Sequence, residues 1–402
     1  MPKKYCENYM LTYDDVVLVP RRSSFPSRSV TDPGMWFCGK KYELPIVMSP
    51  MSSVTSPEMI YFFFKNKMVP SVHRYFNNAA EQYDYVFLGI AEQINIEDMG
   101  VSVFDWKTRK ELRQNVVAFT PNMIKRVQAV VDETFFAIGS VAKYKDWIDE
   151  LLRRGVKRFC VDMAHGDSDA CLETLEYLAK LDTLVMAGNI ATPESARRLE
   201  ESGADAIRAN IGSGAACTTR IKTGFGVPSV TCIMDIANCG IKDAEVIADG
   251  GIREPGDIVK ALYFGADMVM LGSVLAATDL SPSRCFNKNG EFIEKTTEVF
   301  PNDSESSNKY PNRVIYYKEY VGMASALARR NVMKEASVEG EAGFVRYRGK
   351  TSDLIAGIKM NLQSALSYGG CANWEQFRHF VEYGVVSNAS ILEGRARLDG
   401  FI

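Results

Sequence analysis

From Pro45 to Ser273 the chain is punctuated by short apolar, β-branched runs, each closing on small or polar residues and most followed by a segment with helical spacing. There are eight: Ile46–Met51, Met68–His73, Phe135–Ser140, Arg158–Met163, Thr183–Asn189, Ala206–Ile211, Glu245–Gly251 and Met268–Ser273. Runs apolar at nearly every position, rather than at alternate ones, belong to strands buried on both faces, as in a parallel sheet covered by helices. Pro70 has no N–H to give a ladder, so the second strand is expected to start after it. The intervening segments carry helix punctuation. Thr192 is a cap, Pro193 the first helical position and Gly203 the stop, and Gly265 closes the segment opening at Arg253 in the same way. Strands alternating with helices in this number predict an α/β fold, a (β/α)₈ TIM barrel, over an open doubly wound sheet.

Two stretches break the rhythm. Residues 77–134 are longer than one crossover helix needs and read as an insertion or elaborated crossover after the second strand. After Ser273 the pattern ends, and residues 277–350 read as a hairpin and active-site flap region, with Asn289-Gly290 as the turn signal. The polar run Pro301–Asn312 is expected to be mobile. Helical spacing returns from Asp353 to Leu366 and closes at Gly369-Gly370. The N-terminal Leu11–Pro20 reads as a short strand or arm laid against something larger. Residues 1–402 are therefore read as a single barrel domain with an insertion and a C-terminal flap and tail.

Composition narrows the partners. With 46% apolar and 24% charged residues the chain is an ordinary globular protein with a large core. A net charge of −3 and a pI near 5.9 give no electrostatic reason to expect nucleic acid or an anionic membrane. Nine cysteines without a C-x-x-C pair argue against a disulfide framework or a zinc site, and a reducing cytoplasm fits. No signal-peptide-like segment opens the chain, and the apolar run Met59–Phe64 is too short to span a bilayer.

In such barrels the chemistry lies at the C-terminal ends of the strands. There the sequence places Ser49, His73 and Arg74, Asp162 and His165, Asn189, Cys217, Asp249 and Gly250, Gly272 and Ser273. The loop N-I-G-S-G-A-A-C-T-T-R puts Cys217 after two glycines and three residues before Arg220. A thiol reacts as thiolate, which cations and exposed backbone N–H groups favour; an inert buried cysteine is the competing reading. D-G-G (Asp249–Gly251) and L-G-S (Leu271–Ser273) end the seventh and eighth strands, where barrels hold phosphate on backbone N–H groups. Thr219 could relay a proton. Glu339, in a loop folding back over the mouth, is the candidate acid or base, although alone it reads as an exposed loop glutamate. No His, Asp or Glu pairs fall at metal-ligand spacing; the carbonyls around Gly212, Gly214 and Cys217 could hold a monovalent cation such as K⁺.

The motifs L-T-Y-D-D-V-V-L-V-P, V-D-M-A-H-G-D-S, A-G-N-I-A-T-P-E, G-S-G-A-A-C-T-T-R-I-K-T-G-F-G, I-A-D-G-G-I-R and Y-K-E-Y-V-G-M-A-S together resemble the IMP dehydrogenase / GMP reductase family over nearly the whole chain. Within it the resemblance leans to the reductase branch. Only Ala326–Val338 separate Ser325 from Glu339, without the Arg-Tyr pair of the dehydrogenase flap, and the dehydrogenases' paired regulatory domains have no room. The resemblance implies NADPH-dependent conversion of GMP to IMP and ammonia through a covalent bond between Cys217 and the purine. Thr219 and Glu339 would help protonate the departing amine. Arg74 stands where the family often has lysine, and a guanidinium cannot shuttle protons as an amine can. Asp249 would hold the ribose, Gly251, Gly272, Ser273 and Tyr320 the phosphate, and Met323 and Ser325 the base, with Gly250 also among the substrate-binding residues. Asp162, His165 and Asn189 fall on the cofactor side. The family's frequent phosphate-binding serine is Ala215 here. A homotetramer is implied by the same resemblance. An IMP dehydrogenase lacking its regulatory module and a non-catalytic purine-nucleotide-binding protein are the alternatives.

Overall fold

The computed structural model describes residues 9–98, 119–287, 289–293, 316–322 and 341–394. Three short strands precede the barrel: β1 (Val16–Val19), β2 (Met35–Phe37) and β3 (Lys40–Tyr42). The eight predicted runs then become β4 (Ile46–Met48), β5 (Ser71–Val72), β6 (Phe135–Ile138), β7 (Arg158–Asp162), β8 (Leu184–Ile190), β9 (Ala206–Ala209), β10 (Glu245–Asp249) and β11 (Met268–Leu271). They pair in parallel in the order β4-β11-β10-β9-β8-β7-β6-β5. The ring closes where Val47 bridges Val69, and β5 begins only after Pro70, as its missing N–H requires. The protein is a (β/α)₈ barrel.

Strand side chains alternate between two compartments with a period of two. Val47, Ala137, Cys160, Met186, Ala206, Ile247, Met268 and Met270 fill the barrel interior. The hairpin β2–β3 plugs its lower end with Phe37 and Tyr42, both fully buried. Their neighbours Ile46, Phe136, Phe159, Val185, Ile207 and Val246 face outward into the larger core shared with the helices.

The helix Pro193–Glu201 shows how local sequence sets these layers. Thr192 Oγ1 accepts from Ser195 N at its start, worth about 1 kcal/mol. Gly203 ends it at φ +102°, where a Cβ would also lie 2.5 Å from that of Ala179. Backbone conformation and space both demand glycine there.

Residues 77–134 contribute two helices, Ala79–Asp98 and Pro121–Glu133, packed on the helix Pro57–Lys65; residues 99–118 lie outside the described set. After the barrel come β12 (Cys285–Asn287), β13 (Phe292–Ile293), β14 (Tyr316–Val321) and β15 (Ala342–Arg346), in one antiparallel sheet ordered β13-β12-β14-β15. Gly290 takes φ +82° in the turn between the first two. The run Pro301–Asn312 lies outside the described residues. The helix predicted over Asp353–Leu366 extends two residues further at each end, Thr351–Tyr368, and stops at Gly369-Gly370. Lastly β16 (Glu382–Val385) pairs antiparallel with β1, so the N-terminal arm lies against the C-terminal tail. Among the described residues no helix is long and apolar enough to cross a membrane.

Candidate active site

At the C-terminal ends of the strands the described residues line a cleft of about 520 Å³. Arg74, Asp162, Asn189, Gly212, Gly214, Cys217, Thr219, Asp249, Gly250, Gly251, Gly272, Ser273 and Tyr320 all border it. His165 does not: it is exposed on the loop after β7, its carbonyl accepting from Ser168 Oγ. Met323, Ser325 and Glu339 lie outside the described residues.

The cysteine loop begins in a locked turn. Asn210 follows β9 with φ +129°, a region non-glycine residues seldom occupy. It is held there by Asn210 N donating to Ile190 O (2.8 Å) and by Asn189 Nδ2 donating to Asn210 O (3.0 Å). The chain then turns through Gly212, at φ +88°, and closes a tight bend in which Cys217 N donates to Gly214 O at 2.9 Å. Cys217 is half-buried, and its thiol donates to Thr219 Oγ1 at 3.2 Å. Arg220 takes another course than its nearness in sequence suggests. Its stem packs where Gly212 and Gly226 lack side chains, and Nη2 donates to Val227 O at 2.6 Å. The Gly214 carbonyl, one of the candidate cation ligands, accepts this bond from Cys217 N–H and keeps a second lone pair. Among the described residues no cluster of His, Cys, Asp and Glu could hold a metal ion.

Beneath the cleft lies a charged network centred on a residue that the strand pattern concealed, Arg208 of β9. It is 2% exposed and shares the inward parity of Ala206. Its Nη1 reaches Asp162 Oδ1 at 2.7 Å and Cys160 Sγ at 3.3 Å. Nε and Nη2 reach Asp249 Oδ2 at 3.1 and 2.9 Å. Burial opposes the guanidinium's charge, but Cys160, Asp249 and Asp162 outweigh it and hold its pKa well above the ordinary value. Burial raises the Cys160 thiol to about 12; Arg208 pulls it down, but Asp162 and Asp249 push it up with burial. Gly188 makes room for the arginine, since a Cβ there would lie 2.6 Å from Arg208 Cβ and O. The single arginine inside A-I-R-A-N-I was the available signal, since an inward charge must have counter-charges at its own level.

Asp249 thus keeps one oxygen in the network, with Asn189 Nδ2 adding a third donor at 2.8 Å. Its Oδ1 takes no hydrogen bond from the described residues and remains open to a ligand hydroxyl. Asp162, 3% exposed, also pairs with Arg74 Nε at 3.4 Å. Burial lowers the Arg74 pKa, but Asp162, then Tyr75 and Tyr144, raise it more, so this guanidinium stays charged. Next to it, burial drops His73 to about 4; the neutral ring stacks on Phe76 at 4.5 Å and accepts from Tyr75 N.

The opposite wall is lined by loop backbone. Gly250 and Gly251 take φ +100° and +79°, and neither N–H bonds to a described residue. Gly272 faces Tyr320, whose hydroxyl lies 2.9 Å from where a Cβ would stand and donates to Met51 Sδ. Burial, then Asp249 and Cys217, raise the Tyr320 pKa, keeping the phenol a donor. Ser213 Oγ and Asn210 Oδ1 are buried without a partner among the described residues. The cleft therefore joins a thiol with a hydroxyl neighbour, a carboxylate oxygen open to hydroxyls, and a wall of free glycine N–H groups with the Ser213 and Tyr320 hydroxyls beside them, suited to a phosphate.

A family model described as IMP dehydrogenase / GMP reductase domain matches residues 10–397. A protein of Staphylococcus carnosus named GMP reductase is 32% identical over 391 residues, covering 95% of this chain and 98% of that one. GMP reductases of Staphylococcus aureus (strain MRSA252) and Bacillus licheniformis are 31% and 29% identical, over 95% of this chain and 98% and 97% of theirs.

Proposed function

Because the chain belongs to the IMP dehydrogenase / GMP reductase family, we propose that it is a GMP reductase, converting GMP and NADPH to IMP, ammonia and NADP⁺. The observation that carries this reading is the Cys217–Thr219 pair, 3.2 Å apart, in one cleft with the Asp249–Gly251 and Gly272–Ser273 turns. GMP fits that arrangement end to end. Its phosphate takes the free N–H groups of Gly250 and Gly251, Ser273 and the Tyr320 phenol; its ribose hydroxyls take Asp249 Oδ1; its guanine lies over Cys217.

The sulfur of Cys217 bonds to carbon 2 of the guanine, and the carbon–nitrogen bond to the exocyclic amine breaks. The amine leaves as ammonia once protonated, with Thr219 relaying the proton and Glu339 as its source. A thioimidate remains. A reduced nicotinamide held beside Asp162 and Asn189 would supply the hydride that this carbon accepts. The carbon–sulfur bond then breaks, its electron pair returns to sulfur, and IMP leaves.

Asp162, Asn189 and the half-buried Met163 form the wall built by β7 and β8, on the other side of Asp249 from the phosphate end. An acceptor, an amide and apolar surface suit a flat ring with a polar edge. Arg74 stays charged, so its part is to fix Asp162 and the ligand beside it, not to carry protons. A homotetramer in the cytoplasm, and K⁺ on the cysteine-loop carbonyls, complete the reading by analogy with the family.

Assays in both directions test it. NADPH should be consumed with GMP, while NADH formation from IMP should be negligible, and Cys217→Ala should abolish turnover yet keep GMP binding. Efficient oxidation of IMP without reduction of GMP would make this chain a dehydrogenase instead.

A further inference from the structure

We propose that Gly322 is a positioning residue for the Cys217 nucleophile, acting through Ala216. The proposal rests on the role given to Cys217 above.

The antiparallel ladder of β14 and β15 ends in register at Val321 and Ala342. One more rung follows, in which Gly322 N donates to Glu341 O at 3.0 Å. The other backbone group of Glu341 leaves the sheet altogether: its N–H donates to Ala216 O, also at 3.0 Å. Ala216 is the residue before the nucleophile. The cysteine loop is therefore held from two sides, by its own bend to Gly214 and by the end of a sheet that does not belong to the barrel.

Gly322 sits where these segments meet. A Cβ there would lie 2.9 Å from Glu341 O, 3.0 Å from Ala216 Cβ and 3.3 Å from Ala216 O. Two of those atoms are backbone and the third is a methyl fixed to it, so none can swing aside. The backbone at Gly322 is not left-handed, so space rather than conformation requires glycine. Any side chain must displace the Glu341–Ala216 rung, and Cys217, bonded to Ala216, shifts with it relative to Thr219, now at 3.2 Å. A misplacement on the order of 1 Å can cost a reacting pair a hundredfold in rate.

The experiment compares Gly322→Ala, Ala216→Gly and the double variant with the wild type. Gly322→Ala should lower kcat roughly 10- to 100-fold while KM for GMP stays within about threefold. The double variant, with the opposing methyl gone, should recover part of the lost kcat. Independently of any substrate, the rate at which iodoacetamide alkylates Cys217, read by peptide mass, should shift in Gly322→Ala and return toward wild type in the double variant. Wild-type kcat in Gly322→Ala overturns the proposal, as does a kcat loss matched by equally weakened GMP binding, or a double variant no better than the single. If the wild type proves inert toward GMP, the functional reading fails, and the alkylation rates alone decide the coupling.

Discussion

Arg208 offers the sharpest test of how the site is held together. Its guanidinium is 2% exposed and lies between the carboxylates of Asp162 and Asp249, 3% and 14% exposed. Arg208→Met keeps much of the apolar stem but leaves both carboxylates without their shared counter-charge. Removing one partner of a buried ion pair costs about 3–5 kcal/mol. The lower figure fits better, because Asp249 borders the open cleft and water can reach its free oxygen. Unfolding entropy of roughly 2.1 cal/mol/K per residue gives about 0.8 kcal/mol/K for 402 residues, so Tm should fall by roughly 4 °C. Circular-dichroism melts at neutral pH measure this directly. The second arm adds Asp162→Asn to Arg208→Met. That removes the more deeply buried of the two carboxylates, left with only the longer Arg74 contact at 3.4 Å, and should restore part of the lost stability, although Asp162→Asn alone removes a favourable partner and should destabilise. Such opposite signs in the two backgrounds are the mark of direct coupling. If Arg208→Met melts with the wild type, or Asp162→Asn costs the same in both backgrounds, the network does not hold the carboxylates as described.

Two further outcomes follow from particular contacts. His73 falls to about 4 through burial, from an ordinary 6.5, so it contributes stability that is present above 6.5 and lost as pH drops toward 4. The loss amounts to about 3 kcal/mol, and His73→Asn, which cannot take up the proton, should flatten urea-unfolding stability across that window; an unchanged slope refutes the assignment. Gly272→Ala would set a methyl 2.9 Å from the Tyr320 hydroxyl and 3.4 Å from Met51 Sδ. Displacing that phenol should raise KM for GMP about tenfold or more, with kcat far less affected, and an unchanged KM would remove Tyr320 from the phosphate wall.

Much of this protein was legible in its order of residues. Apolar runs of strand length, each followed by capped helical segments, could bury both faces only as a covered parallel sheet, and their number closed it into a barrel. Pro70 marked where β5 begins because a missing N–H is a local fact. The cleft residues were legible for the same reason: barrel geometry puts the ends of all eight strands at one rim, so Cys217, Asp249 and Gly272 converge wherever register places them.

What remained hidden needed distances between segments far apart in sequence. Arg208 looked like one charge in an apolar strand; only the register of β7, β9 and β10 sets Asp162 and Asp249 at its level. Sequence sets Arg220 three residues from Cys217, yet the space left by Gly212 and Gly226 draws its guanidinium to Val227 O. His165 shared a motif with Asp162, but one residue points into the barrel and the other lies on an outer loop. The bond from Glu341 to Ala216 joins segments more than a hundred positions apart. Sequence determines what each residue can do chemically and which local element it enters. Which charges share a level, and which backbone pins the reactive loop, is decided by the tertiary structure, because interactions of a few ångströms depend on the packing of the whole chain.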